Sequence, residues 1–374
     1  MGEYGSLPRI KSDREWTERT TLQVGSPGRA IRCRPEFVGT CCWELDAVKI
    51  TWRRLMIVGL AASLVAGAAS DPWSGAQQVE IRSTKDGAAQ QAMFYVPPEA
   101  ALTAQGAAAP LLVALHTWSS EFKQATGGDY LKECQKRGWV MIHPDFRGPN
   151  RRPEACASEL AVQDVLDAVA YAKAHARVDE RRIYAVGASG GGHMALVMAH
   201  RTPQLWAGVS SWVPISDLAA WHQQCRDAQP PRGYYRDVEK SCGGPPGPAT
   251  DAEYRKRSPL FHLAAAKGVA LDINAGIHDG HTGSVPISHT LRAFNVLAEA
   301  NGCREKAVAE SDIAAMTSTR KVPESLAAER AADPGRKHKV LFSRSAGPAR
   351  VVIFEGGHQI DVPAALNWLA QRGK

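Results

Sequence analysis

From about Gln77 onward, short and solidly apolar runs alternate with stretches of helical spacing. Residues 110–117 (PLLVALHT), 138–145 (GWVMIHPD), 181–189 (RRIYAVGAS), 205–215 (LWAGVSSWVPI), 269–276 (VALDINAG) and 349–357 (ARVVIFEGG) have the length and apolar content of strands covered on both faces. Between them, 159–176 carries Leu160, Val162, Val165, Leu166 and Val169 at helical spacing. The stretches 122–137, 190–201, 286–300 and 362–371 also read as helices. Buried strands alternating with helices predict an α/β fold, with a mostly parallel sheet covered on both faces. Two earlier runs, 77–84 and 91–97, flank KDGAAQ and predict an antiparallel pair at one edge. Neither an internal repeat nor a linker divides 77–374, so one domain is expected there.

Two segments break this rhythm. Residues 219–254 are rich in Pro, Gly and aromatic side chains, including Trp221, Tyr234 and Tyr235. They follow the C-terminal end of a strand, where such sheets build their sites, and are read as a cap or substrate wall. Residues 304–337 are charged and Ala-rich without a sustained apolar face, and are read as a surface excursion.

The N-terminal 76 residues follow other rules. Residues 1–47 are polar and aperiodic. In 48–70, Lys49, Arg53 and Arg54 precede an uncharged apolar run from Leu55 to Ala69, with small residues at Ala66-Gly67-Ala68. That is the three-part pattern of a secretory signal, too short for a membrane span of about 20 residues. The protein is therefore expected to be exported, periplasmic or extracellular, without stable membrane association once the signal is cleaved. Translation is expected to begin near Val48 or Met56, with 1–47 an upstream extension of the gene model. N-terminal sequencing of natively expressed protein checks this, and a mature chain retaining Met1 to Asp46 would refute it.

Composition adds little to this picture. The 374 residues are 44% hydrophobic and 22% charged, with a net charge of +7. No basic run is interleaved with aromatics, so nucleic acid is not an expected partner. Export would permit disulfides among Cys134, Cys156, Cys225, Cys242 and Cys303. Cys225 and Cys242 flank a Pro/Gly-rich loop and form the best intrachain pair, with buried thiols as the equal alternative.

The most glycine-dense stretch is AVGASGGGHM, 185–194. A phosphate-binding loop would need Lys and Ser/Thr where His193 and Met194 stand, and Ser189 occupies the second glycine of a dinucleotide fingerprint. What remains is G-x-S-x-G at Gly187, Ser189 and Gly191, between a strand and a helix, which presents a nucleophilic serine on a sharp turn. A serine hydroxyl needs a base. His358 in FEGGHQI follows the last predicted strand on a tight turn. The order Ser–Asp–His then asks for an intervening acid, and Asp279 in GIHDGHTGSVP fills it. Asp272 is the rival but lies inside a predicted strand, while His278 and His281 read as loop or pocket residues. Oxyanion donors are expected at the Gly190 N–H and at the turn after 110–117, from Trp118 or Thr117. The Trp118 ring reads equally as a substrate clamp or as core. No His/Cys/Asp/Glu set has diagnostic metal spacing, and no cofactor is expected.

These motifs resemble the α/β-hydrolase superfamily, and within it the catalytic domain of the prolyl oligopeptidase group. The resemblance covers about 110–372. It rests on HPDFRG, GASGGG, RSPLFHLAAAKGVALDINAGIHDG leading into VPISHTLRAFNVL, and FEGGHQI with ALNWL. It implies Ser189 as nucleophile, Asp279 as acid and His358 as base. The chain departs from the group where valine follows the acid by six positions, a longer gap than usual, and where His116-Thr117 replaces the usual His-Gly. With so few residues before Pro110, the β-propeller of the oligopeptidases is not expected here. Similar single-domain exported proteins are often esterases. The expected activity is therefore hydrolysis of a small or polymeric carboxylic ester through an acyl-enzyme, with peptide hydrolysis as the alternative. A non-catalytic binding protein on the same fold is a third reading.

Overall fold

The computed structural model describes residues 71–374 except 104 and 331. The segments 1–47 and 48–69, with Cys33, Cys41 and Cys42, lie outside the described residues. Strand β3 (Ala109–Leu115) is buried at every position because both its faces are covered. Leu112 and Ala114 enter one apolar cluster; Leu111, Val113 and Leu115 enter another. This is the period-2 alternation of a strand applied to a sheet with two cores.

The other strands are β1 (Gln77–Arg82), β2 (Ala89–Tyr95), β4 (Val140–Pro144), β5 (Val178–Ala188), β6 (Gly208–Trp212), β7 (Leu271–Gly276), β8 (Val340–Ala346) and β9 (Ala349–Phe354). The sheet order is β1-β2-β4-β3-β5-β6-β7-β9-β8. The run from β4 through β9 is parallel, while β1 and β2 at one edge and β8 at the other are antiparallel. The predicted edge pair is present. Strand β8 has no counterpart in the sequence reading. At the sheet's rim, it buries only Phe342 and Ala346 fully and so lacks a continuous apolar run.

Helices α1 (Ala125–Arg137), α2 (Glu159–His175) and α3 (Gly190–Arg201) join the first parallel strands. Ser158 caps α2 by accepting from the Ala161 N–H at 3.1 Å. Leu131 of α1 and Leu366 of α9 (Val362–Ala370) pack in one cluster, while α2 and α3 pack in the other. Helix α7 (Ser288–Ala300) contributes to both. No helix among the described residues is long and apolar enough to cross a membrane.

The two irregular segments are ordered in different ways. The cap-like stretch forms α4 (Leu218–Asp227), α5 (Tyr234–Cys242) and α6 (Asp251–Arg257) around a third apolar cluster that contains Trp118, Trp221 and Tyr254. The 304–337 stretch contains α8 (Glu310–Thr319) and buries Val308, Ile313, Met316 and Leu326 against the main core. It packs more deeply than its composition implies, because Ile313 and Met316 of α8, with Val308 and Leu326 on either side of it, suffice to dock a short helix.

The expected Cys225–Cys242 bridge is not formed. Both are free buried thiols, as are Cys134 and Cys156. Cys225 ends up on the apolar side of α4 and Cys242 on that of α5, where each packs as a small hydrophobe in the cap cluster. Burial pushes the Cys225 thiol up to about 12 and disfavours its thiolate.

Candidate active site

Four of the residues singled out for chemistry lie just past the C-terminal ends of parallel strands. Trp118 follows β3, Ser189 follows β5, Asp279 follows β7 and His358 follows β9. Parallel strands put these ends on one side of the sheet, so four distant segments converge.

Ser189 has φ 58° and ψ −118°, a conformation that costs a non-glycine residue about 1–3 kcal/mol. Two backbone bonds hold it there. Its N–H donates to the Trp212 carbonyl at 2.9 Å, and its carbonyl accepts from the His193 N–H at 2.8 Å. The turn is possible because glycines stand at 187 and at 190–192. A Cβ on Gly190 would collide with the Trp118 backbone, and one on Gly192 would lie 2.6 Å from the Trp212 carbonyl oxygen. The glycine run thus lets helix α3 approach both the turn after β3 and the end of β6. His193 points away from this chemistry. It is fully buried, and its Nε2–H donates to the Arg257 carbonyl at 2.7 Å. Burial lowers it to about 4, so it stays neutral while tying α3 to the end of α6.

Ser189 and His358 line one cavity of about 420 Å³, together with Thr117, Trp118, Gln124, Tyr130, Tyr234 and Ile360. Neither a carboxylate nor a lysine or arginine lines it. His358 is partly exposed there, and its Nδ1–H donates to Asp279 Oδ2 at 2.7 Å. The other oxygen, Oδ1, accepts from the Gly280 N–H at 2.8 Å and the Val285 N–H at 3.1 Å. The Asp279 side chain is fully buried, so these bonds keep its charge satisfied. The unusual six-residue gap to valine therefore has a function. The longer loop curls back to aim the Val285 N–H at the carboxylate. Gly283 lets it pass, because a Cβ there would collide with Asp279 Oδ1 and the His358 side chain.

Asp272, the rival acid, belongs to another network. It is buried inside β7 and accepts from Arg350 Nε at 2.8 Å, Asn274 Nδ2 at 2.8 Å and Ser210 Oγ at 3.2 Å. His278 bonds Glu355 at 2.6 Å, and His281 bonds the Thr317 carbonyl at 2.7 Å.

The turn after β3 separates the two oxyanion candidates. The Thr117 N–H is occupied, donating to Gln124 Oε1 at 2.9 Å. Among the described residues the Trp118 N–H has no acceptor, and it lies against Gly190. Gly190 opens α3, where first-turn N–H groups lack intrahelical partners. The Trp118 ring itself is core, 2% exposed and edge-on to Trp221 at 4.7 Å. Tyr234 lies in the segment read from the sequence as a substrate wall, whereas Gln124, Tyr130 and Ile360 were not singled out. The four come from α1, the cap and the loop before α9, and only tertiary packing brings them together.

Sheet order, nucleophile turn and strand-end site define an α/β-hydrolase fold. The chain has that fold, and it resembles the prolyl oligopeptidase family, whose family model matches residues 131–315. Among solved structures, a puromycin hydrolase is 16% identical with a TM-score of 0.50, over 79% of this chain and 37% of that one. A puromycin-hydrolyzing peptidase of Mycobacterium tuberculosis is 18% identical with a TM-score of 0.47, over 80% and 39%. An acylaminoacyl peptidase of Pyrococcus horikoshii is 17% identical with a TM-score of 0.48, over 60% and 35%. The alignments thus span less than two fifths of the length of each of these proteins. No curated protein matches the chain in sequence.

Proposed function

We propose that the chain is a peptidase-type serine hydrolase that cleaves amide bonds of substrates with an uncharged acyl side, through an acyl-enzyme on Ser189. The observation that carries this reading is the shared cavity. A strained serine and a histidine whose Nδ1–H is held by a buried carboxylate face the same space of about 420 Å³. In the proposed reaction Ser189 Oγ attacks the carbonyl carbon while His358 Nε2 takes its proton. The Gly190 and Trp118 N–H groups receive the oxyanion. His358 then returns the proton to the leaving nitrogen, and water repeats the sequence to release the acid.

The prolyl oligopeptidase match supports amide cleavage over the ester cleavage expected from sequence alone. Esters of the same acyl groups would pass through the same steps. The uncharged lining supports the substrate class. A free α-ammonium group would enter the cavity without a carboxylate to pair it, and burying it unpaired is costly. An exported location is proposed on the 48–69 pattern alone.

A matched pair of substrates tests the reading, one with an N-acylated and one with a free amino terminus on the same aminoacyl amide. The acylated form is expected to have a kcat/KM at least about 10-fold higher, one uncompensated charge contact being worth that or more. A preference for the free amine would overturn the substrate class. Cleavage of acyl esters without any cleavage of amides would overturn the peptidase reading.

A further inference from the structure

Cap helix α4 carries Trp221, which is fully buried. Its indole N–H donates to the Ser284 carbonyl at 2.8 Å. The same peptide unit offers its other end, the Val285 N–H, to Asp279 Oδ1 at 3.1 Å. Because a peptide is planar and rigid, a rotation that breaks one of these bonds also disturbs the other. Aligned bonds of this kind also polarise one another in a buried setting. The Trp221 ring meets the Trp118 ring edge-on at 4.7 Å and stacks on cavity-wall Tyr234 at 5.2 Å. A second cap residue, Arg232, donates from Nη2 to the Gly280 carbonyl at 3.0 Å.

We propose that Trp221 is a positioning residue that holds Asp279 in register with His358 through the single peptide between Ser284 and Val285. The cap is then part of the machinery that orients the acid, as well as a wall of the substrate cavity. Sequence gives this role no motif, since Trp221 lies 58 residues before Asp279 and acts through main-chain atoms. The inference rests on the Ser189–His358–Asp279 reading above.

The test compares Trp221→Phe in the parent chain and in an Asp279→Asn background. Phenylalanine keeps an aromatic ring and removes the N–H. In the parent chain kcat and the rate of fluorophosphonate labelling of Ser189 are each expected to fall about 10-fold, with KM within about 2-fold. In the Asp279→Asn background the same substitution is expected to change the rate of fluorophosphonate labelling of Ser189 by less than about 2-fold, because the carboxylate that it positions is already gone. An equal loss in both backgrounds would show that Trp221 acts by packing alone and would overturn the proposal. An unchanged kcat in the parent chain would do the same. If Trp221→Phe fails to fold, benzothienylalanine at position 221 removes the N–H while keeping the bicyclic shape, and the same two outcomes decide. A parent enzyme whose turnover does not depend on Ser189 would defeat the underlying triad reading instead, and this shows before position 221 is altered.

Discussion

Ser189→Ala is expected to lower kcat by about 10⁶-fold and to abolish fluorophosphonate labelling while leaving the chain folded. The size follows from the unit character of the triad. Without Oγ, neither His358 nor Asp279 has a proton transfer to assist, so their contributions vanish together. Residual hydrolysis would come from water attacking a carbonyl polarised by the Gly190 and Trp118 N–H groups. The fold should survive because what holds the turn is main-chain. The Trp212 carbonyl still accepts from residue 189, and residue 189 still accepts from His193. Steady-state turnover with thermal unfolding of the same preparation checks both parts. Turnover within about 10-fold of the parent would remove Ser189 from the chemistry.

Asp279→Asn is expected to lower kcat by about 10⁴-fold with little change in stability. Asn Oδ1 can still accept from the Gly280 and Val285 N–H groups, which bond Asp279 at 2.8 and 3.1 Å. The new amide then faces His358 Nδ1, where a carboxylate oxygen now accepts at 2.7 Å. An amide donates there. It forces the imidazole into the tautomer with its proton on Nε2, the atom that must accept from Ser189. The geometry is preserved and the proton is on the wrong nitrogen. Turnover over a range of pH, with KM measured alongside, checks this. A loss confined to KM, or near-normal kcat, would assign Asp279 a structural role and reopen the choice of acid.

Much of the architecture was legible because buried parallel strands leave a strong mark. β3 is an apolar run with no polar face and β7 is buried at every position, and the helices between them keep their spacing. Strand β8 left no such mark at the rim, and α8 carried too few apolar positions to announce that it docks. The sequence left Cys225 and Cys242 open between a bridge and buried thiols for a related reason. Spacing around a loop says where two residues lie along the chain, while the direction of their side chains depends on how α4 and α5 roll onto the cap cluster.

The site divides along the same line. GASGGG, the acid in GIHDG and the histidine in FEGGHQI are local features, because each needs a particular turn at a strand end and glycines to make it. By itself, then, the sequence determined the α/β sheet, the sharp turn at Ser189 and the candidates for nucleophile, acid and base. Tertiary structure decided which donor at the β3 turn is free, by placing Gln124 on the Thr117 N–H. It decided that Asp272 is consumed by Arg350, and that the cavity is walled by residues from α1, the cap and the loop before α9. It also set a cap tryptophan against the loop that carries the acid. These are contacts between segments far apart in the chain, and their energies depend on distances of a few ångströms that no local pattern encodes.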